Sequence, residues 1–129
     1  MHRQQVKEIV TRAALLDLLS ALKNQLLKDF LRAGLSDFEG NLLRVGNNER
    51  LPELLREFLY KLLMEDFDGF LNLMYAADIP EFEFRTAVFE DPVEAADAAL
   101  EILINREWQK VCLRAGISSR LPPDQSESR

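Results

Sequence analysis

The sequence is short of the residues on which most metal and redox sites depend. Its 129 residues include one cysteine, Cys112, and one histidine, His2. A single cysteine cannot form an internal disulfide or share a metal ion with a second thiolate, so we expect a reducing compartment, the cytoplasm. The histidine lies at the terminus, and no Glu-x-x-His pair of the kind that binds iron in helical bundles is present. No metal or cofactor is therefore predicted.

Long hydrophobic runs are missing as well. No uncharged stretch approaches the roughly 18 residues that a transmembrane helix needs, and the N-terminal "MHRQQVKEIVTR" mixes basic and acidic side chains. We therefore expect neither a membrane span nor a signal peptide. With 47% hydrophobic and 29% charged residues, the chain has the composition of one globular domain.

Glycine and proline do not occur between Gln4 and Ala33. Apolar side chains recur through this stretch at steps of three and four residues, which is the spacing of one face of an α-helix. Gly34 followed by Leu35 is typical of a helix end, because glycine adopts the left-handed conformation found there. The pattern predicts one long first helix. Its apolar positions are Leu15, Leu19, Leu22, Leu26, Phe30 and Ala33.

Further helical patterns follow along the chain. "LPELLREFLYKLLM" has Pro52 in a suitable first-turn position, and "DFDGFLNLMYAAD" repeats the apolar spacing. Asp91, followed by a proline and a glutamate, predicts the start of a last long helix that runs to about Ala115. We predict an all-α single domain over residues 1–116, a helical bundle of about five helices with long first and last helices. Residues 117–129 are predicted to be disordered.

The segment 82–89 fits two structures, because its aromatic residues alternate as in a strand and also recur at helical steps. We predict a short helix. Asp78 and Glu81 form an Asp-x-x-Glu signal for a helix start, and a lone strand would have no partner for its backbone.

The stretch Asp66 to Gly69 is the only motif that suggests catalysis. It resembles the first motif of the haloacid dehalogenase-like phosphatases, whose first aspartate attacks a phosphoryl group from the end of a buried parallel strand. Here the preceding "LLREFLYKLLM" has no β-branched residue, and Phe70 replaces the usual threonine. About 60 residues remain downstream, too few for a doubly wound sheet. We interpret the motif as the acidic start of a helix, and no enzymatic activity is predicted.

The last predicted helix carries three further residues of interest. We interpret Glu107 and Lys110 as members of a solvated face, since they are charged and three residues apart. Trp108 is assigned to the core, because aromatic residues at helical spacing pack there more often than they line a ligand pocket.

The charges are distributed unevenly along the chain. Residues 1–35 carry a net charge of +3, residues 36–105 carry −11 and residues 106–129 carry +2. Such a negative middle section argues against nucleic acid binding. It is either a solvated face, partly neutralised by the basic terminal helices, or a docking face for a basic protein partner. The candidate docking residues are Glu65, Asp66, Asp68, Glu81, Glu83, Glu90, Glu94, Asp97 and Glu101.

The predicted first helix has a second apolar stripe near its start, rotated by about 160° from the leucine stripe. One straight helix cannot direct both stripes at the same core. Its length of about 45 Å also exceeds the roughly 36 Å diameter expected for the domain. Either this arm pairs with the same arm of a second copy, or the helix kinks near Thr11 and folds back. The candidate self-association residues are Val6, Ile9, Val10 and Ala13.

These features predict a non-catalytic helical protein that acts through contacts with a protein partner or with itself, for example as a homodimer. The alternative is a helical protein that binds a small ligand, or catalyses a reaction, in a pocket that the sequence does not identify. A polar cluster facing a cavity would favour the alternative, whereas an exposed apolar stripe would favour protein contacts.

Overall fold

The computed structural model describes the backbone of residues 2–38, 50–86 and 91–121, and side chains from Gln5 onward. Every regular element in these residues is a helix, and together they form a bundle, which confirms the predicted all-α fold. The helices are α1 (His2–Leu15), α2 (Leu19–Arg32), α3 (Leu51–Glu65), α4 (Phe67–Ala76), α5 (Glu81–Phe84) and α6 (Pro92–Ala115).

The last helix, α6, is the central element of the bundle. It makes its most extensive contacts with α3 and α1, and it also packs against α2 and α5. Its buried positions recur at helical spacing from Ala95 to Cys112, so one face serves as the surface on which the other helices assemble.

Three aromatic rings join the end of α2 to α3. Phe30 and Phe38 stack with ring centroids 3.9 Å apart. Phe58 tilts against both rings, at 5.4 Å from Phe30 and 5.3 Å from Phe38. These contacts hold the chain that follows α2 against the outer side of α3.

The prediction of a single first helix is wrong, because the chain turns at residues 16–18 and α2 begins after the turn. Asp17 adopts a left-handed conformation with φ of 61°. The Leu18 N–H donates to the Ala13 carbonyl at 2.7 Å, and the Asp17 N–H donates to the Ala14 carbonyl at 3.2 Å. This is the Schellman arrangement that ends many helices, and here it occurs without glycine.

The same turn closes α2, α4 and α6. Gly34 and Gly116 take the left-handed position after α2 and α6, which confirms both predicted helix ends. After α4 the position belongs to Asp78, with φ of 63°. The interpretation of Asp78 and Glu81 as a helix-start signal is therefore wrong. Asp78 closes α4, and α5 begins after Pro80 without a hydrogen bond from a capping side chain. A short helix is present as predicted, over Glu81–Phe84, and Arg85 and Thr86 form a turn after it. Residues 87–89 of the predicted segment lie outside the described residues.

Replacing Asp17 by glycine is expected to raise the free energy of unfolding by about 0.5 kcal/mol, because glycine adopts positive φ without steric cost. The matched variant is Gly34→Ala at the equivalent position of α2. An added Cβ there meets no atom within 4 Å, so its expected loss of about 1 kcal/mol comes from the backbone alone. Thermal unfolding followed by circular dichroism measures the stability change in both variants. A less stable Asp17→Gly variant would show that the aspartate side chain itself stabilises the turn.

The stretch Asp66 to Gly69 begins α4, as predicted. The Asp66 carboxylate accepts a hydrogen bond from the Gly69 N–H at 3.0 Å. A Cβ on Gly69 would lie 2.5 Å from a carboxylate oxygen of Asp66, so any larger residue at this position would displace the capping carboxylate. The motif therefore has a structural explanation that involves no strand.

Asp91 caps α6 and the helix ends at Ala115, as predicted. Residues 117–121, which fall in the segment predicted to be disordered, return to the bundle. The Trp108 Nε1 donates to the Ser119 carbonyl at 3.2 Å, and Leu121 packs against the core. Contacts with the domain thus extend at least to Leu121.

Candidate functional site

The candidate self-association residues lie inside the bundle. Val6, Ile9 and Ala13 have no exposed surface, and Val10 is 5% exposed. The turn at residues 16–18, rather than a kink near Thr11, brings their stripe onto the same core as the leucine stripe of α2. A stripe buried within one chain has no surface left for a second copy. The homodimer stays a prediction without an assigned surface.

The candidate acidic residues are divided among separate parts of the surface. Glu65 and Asp66 line a cleft beside α2 and α3. Glu83 and Glu101 line a second cleft, beside α6. The set therefore does not form a single cleft, although its docking role stays a prediction.

Asp97 and Glu81 are acidic residues of this set that form ion pairs within the chain. Asp97 accepts from Arg56 Nε at 2.6 Å and so links α6 to α3. Glu81 lies 3.8 Å from Arg85 Nε on the exposed side of α5. Of the remaining members, Asp68 and Glu94 are exposed, and Glu90 lies outside the described residues.

The first cleft has a volume of about 410 Å³ and lies between the turn that follows α2 and the outer side of α3. We call it the acidic cleft. Three of its apolar lining residues are partly buried and Leu62 is buried, whereas its charged lining is exposed, so an apolar floor is bounded by a charged rim. The floor consists of Leu35, Leu54, Phe58 and Leu62, and the rim contains Asp37, Glu57, Lys61, Glu65 and Asp66.

The rim of the acidic cleft is strongly negative. Its four carboxylates face one ammonium group, on Lys61. The C-terminal ends of α2 and α3 both border the cleft, and the partial negative charge of a helix C-terminus adds to that of the rim. Asp66 contributes less than the others, because its carboxylate caps the positive N-terminal end of α4.

The second cleft has a volume of about 570 Å³ and lies between the connection of α4 to α5 and one side of α6. We call it the polar cleft. Arg106 is its central cation: Nη1 donates to the Gln109 Oε1 at 3.3 Å, and Nε donates to the Ala77 carbonyl at 3.3 Å. The lining is mostly polar, with Pro80 and Ile102 as its apolar members.

A cluster of charged and polar side chains lies between α2 and α6, and we call it the buried cluster: Gln25, Asp29, Glu107 and Lys110. Lys110 Nζ donates to the Asp29 Oδ2 at 2.8 Å. Gln25 Nε2 donates to the Asp29 Oδ1 at 3.3 Å. Asp29 and Glu107 have no exposed surface, and Gln25 is 4% exposed. At the edge of the cluster, Asp78 Oδ2 lies 3.6 Å from the same Lys110 Nζ.

Glu107 is the unusual member of the buried cluster. Neither of its carboxyl oxygens has a hydrogen-bond partner among the described residues. Its Oε2 lies 3.6 Å from Lys110 Nζ, beyond hydrogen-bonding distance. Burial, reinforced by the neighbouring Asp29 carboxyl, raises the pKa of Glu107 to about 9, and the Lys110 ammonium opposes this only in part. Glu107 therefore keeps its proton at neutral pH.

The interpretation of Glu107 and Lys110 as part of a solvated face is wrong, because Glu107 has no exposed surface and the Lys110 side chain is only 14% exposed. A signal for the burial of Glu107 was present in the sequence, because Glu107 is four residues after Leu103 and four before Val111, both buried on the same face of α6. Asp29 likewise lies three residues after the buried Leu26 of α2. For both residues, position on the helix rather than charge determines burial.

The buried cluster lines neither cleft. Its ion pair between Lys110 and Asp29 joins α6 to α2. No group of three or more described side chains is placed to hold a metal ion. None of the described helices is long and apolar enough to cross a bilayer.

No family model, curated protein or solved structure matches this chain.

Proposed function

We propose that this chain is a non-catalytic helical protein that acts by binding a protein partner in its acidic cleft. The observation that carries the proposal is an apolar floor, open at the surface and bounded by carboxylates. An apolar centre bounded by polar or charged side chains is the usual arrangement of a protein interaction site. In the buried cluster, by contrast, the carboxyl groups of Asp29 and Glu107 have no exposed surface.

The shape of the acidic cleft favours a protein segment over a small molecule. Its lining follows α3 from Leu54 to Asp66, a distance of about 18 Å at 1.5 Å per residue. A trough of this length suits a stretch of polypeptide. Its carboxylates would repel the phosphates of a nucleic acid, so we propose no nucleic acid partner.

The proposal also includes a cytoplasmic location. Cys112 is a free cysteine, fully enclosed in the core on α6. Burial raises the pKa of its thiol, which keeps the thiol protonated and unreactive. A buried cysteine that acts as a small hydrophobic side chain is compatible with a reducing compartment.

A second candidate function, binding of a small polar ligand, is favoured by the polar cleft. Its volume of about 570 Å³ falls in the range of small-molecule sites, and the Arg106 guanidinium could attract an anionic group. Most such sites are lined by apolar and aromatic side chains, however, and this cleft has few of them. We therefore place it second.

The proposed function is tested by selection from a displayed library of random peptides of about 12 residues, a length that spans the acidic cleft as a helix. Wild-type protein is the target. Counter-selection uses Ser36→Trp, which places a large ring in the cleft lining. We expect peptides that bind the wild type and lose at least about tenfold in affinity for this variant.

The matched control is Ser20→Trp, the same substitution at an exposed position of α2 that lines neither cleft. Selected peptides should bind this variant as tightly as the wild type. If no peptide is enriched, or if every enriched peptide binds all three proteins equally, the acidic cleft is not a docking site and the proposal is wrong.

A further inference from the structure

We infer that the segment that docks in the acidic cleft is an amphipathic α-helix with a basic polar face. The inference rests on the proposed function and goes beyond it, because it specifies both the charge and the conformation of the partner. Three features of the cleft carry it: the charge of its rim, the spacing of its floor and the nature of its walls.

The charge of the rim selects a basic partner. Four carboxylates and one ammonium give the rim a formal charge of −3. Lysine or arginine side chains of the bound segment would face carboxylates along most of the cleft. Complementary potentials of this kind speed encounter and exclude acidic partners.

The spacing of the floor selects a helix with apolar side chains on one face. Leu54, Phe58 and Leu62 of α3 are four residues apart, so their side chains form a row along the helix with a rise of about 6 Å at each step. An amphipathic helix presents apolar side chains at the same interval and can pack them into such a row. A trough of about 18 Å accommodates about 12 residues in this conformation.

The walls of the cleft exclude the other common modes of peptide binding. An extended peptide docks by adding a strand to a sheet edge, and the described part of the chain has no strand. Proline-rich segments dock in grooves lined by several aromatic rings, whereas Phe58 is the single aromatic residue among the described residues of this lining. A helix remains as the conformation that the walls allow.

A second copy of this chain is a less suitable occupant than a basic helix. Each copy carries a net charge of −6, so association into an acidic cleft works against repulsion between the two copies. The inference therefore commits to a partner of opposite charge.

The test uses two fluorescein-labelled peptides of about 14 residues, each with leucine at helical spacing. One peptide has lysine at its remaining positions, and the other has glutamate. Binding is followed by fluorescence anisotropy at low and at moderate salt, and the bound surface is mapped by amide chemical-shift changes. We expect the lysine peptide to shift amides along α3 and the end of α2, with an affinity that falls as salt rises.

Two double variants, each of which removes two negative charges, distinguish binding in the cleft from non-specific electrostatic attraction to the protein. Glu57→Gln with Glu65→Gln removes two carboxylates from the rim. Glu53→Gln with Glu94→Gln removes two exposed carboxylates that do not line the cleft. The rim pair should weaken binding of the lysine peptide by about fivefold to tenfold, and the control pair by less than about twofold.

Each contrary result identifies what has failed. Equal weakening by both double variants, equal binding of the glutamate peptide, or amide shifts confined to α5 and α6 would overturn the inference. Selected library peptides that bind the cleft but lack basic residues would overturn the inference and leave the proposed function intact. A wild-type dimer that Ser36→Trp dissociates would assign the cleft to a second copy. Absence of any cleft-binding peptide would remove the proposed function together with the inference.

Discussion

Glu107→Gln is expected to remove a large pH dependence from the stability of this protein. In the folded chain the pKa of Glu107 is raised to about 9, whereas its ordinary value is 4.5. Between these two values the folded state retains a proton that the unfolded state releases. The free energy of unfolding contributed by this group is therefore greatest below pH 4.5 and is lost as the pH rises towards 9. Glutamine does not titrate, so the stability of the variant does not fall with rising pH for this reason.

The expected magnitude follows from the linkage between protonation and folding. Each pH unit in this interval is worth about 1.36 kcal/mol for one proton. From about pH 5.5 to about pH 8, the stability of the variant relative to the wild type should rise by about 3 kcal/mol. Urea unfolding of both proteins, followed by circular dichroism at several pH values, measures this difference.

The matched control is Glu57→Gln, the same substitution at an exposed position of α3. Solvent surrounds this carboxylate in the folded protein. The difference in free energy of unfolding between this variant and the wild type should therefore change by less than about 0.5 kcal/mol over the same pH interval. If the wild type and Glu107→Gln have parallel stability profiles, the buried carboxyl does not hold its proton and the assignment for Glu107 is wrong.

Lys110→Met should destabilise the protein by about 3 kcal/mol at neutral pH. The substitution removes the ammonium that donates to Asp29 at 2.8 Å while leaving the carboxylate fully buried. Asp29 would keep its hydrogen bond from Gln25 and the Arg32 guanidinium at 3.9 Å, but would lose its closest cation. The loss of the closest cation from a buried carboxylate is far more costly than a lost surface ion pair. Chemical denaturation at constant pH measures the loss.

Two further variants identify the cause of that loss. Lys28→Met removes an exposed lysine from α2, one residue from Asp29, and should change stability by less than about 0.5 kcal/mol. Asp29→Asn combined with Lys110→Met removes both charges and should recover much of the lost stability. If the double variant is as unstable as the sum of the single ones, lost packing rather than the unpaired carboxylate explains the effect.

The parts of the fold that could be predicted are those with local and unambiguous signals. The cap at Asp91, the glycine after Ala115 and the apolar spacing between them defined α6 almost to the residue. Asp66 and Gly69 likewise formed the local cap that their spacing suggested. In these places local chemistry and tertiary packing favour the same structure, so the sequence alone was sufficient.

The break between α1 and α2 could not be predicted in the same way. Asp17 ends α1 in a backbone conformation that glycine adopts far more readily, and aspartate at this position has no distinctive sequence signal. The apolar pattern continues through the turn, so it indicated one helix. Only packing in three dimensions, which buries both stripes in one core, selects the turn.

The candidate site was predictable in its charges but not in its shape. Glu65 and Asp66 belonged to the predicted acidic set, yet the cleft also requires Leu35 and Asp37 from beyond α2. Their approach to α3 depends on contacts between residues far apart in sequence, such as that of Phe38 with Phe58. Composition and residue spacing do not predict such long-range contacts.

The hydrogen bond between Trp108 and Ser119 gives the protein an optical reporter of its own. Trp108 is the only tryptophan in the chain, and it is 2% exposed. Its indole N–H is occupied by a carbonyl of the segment that follows α6. Release of residues 117–121 would admit water to the indole and shift its emission to longer wavelengths while the helices remain folded. Detachment of this segment and unfolding of the bundle can therefore be followed as separate events in unlabelled protein.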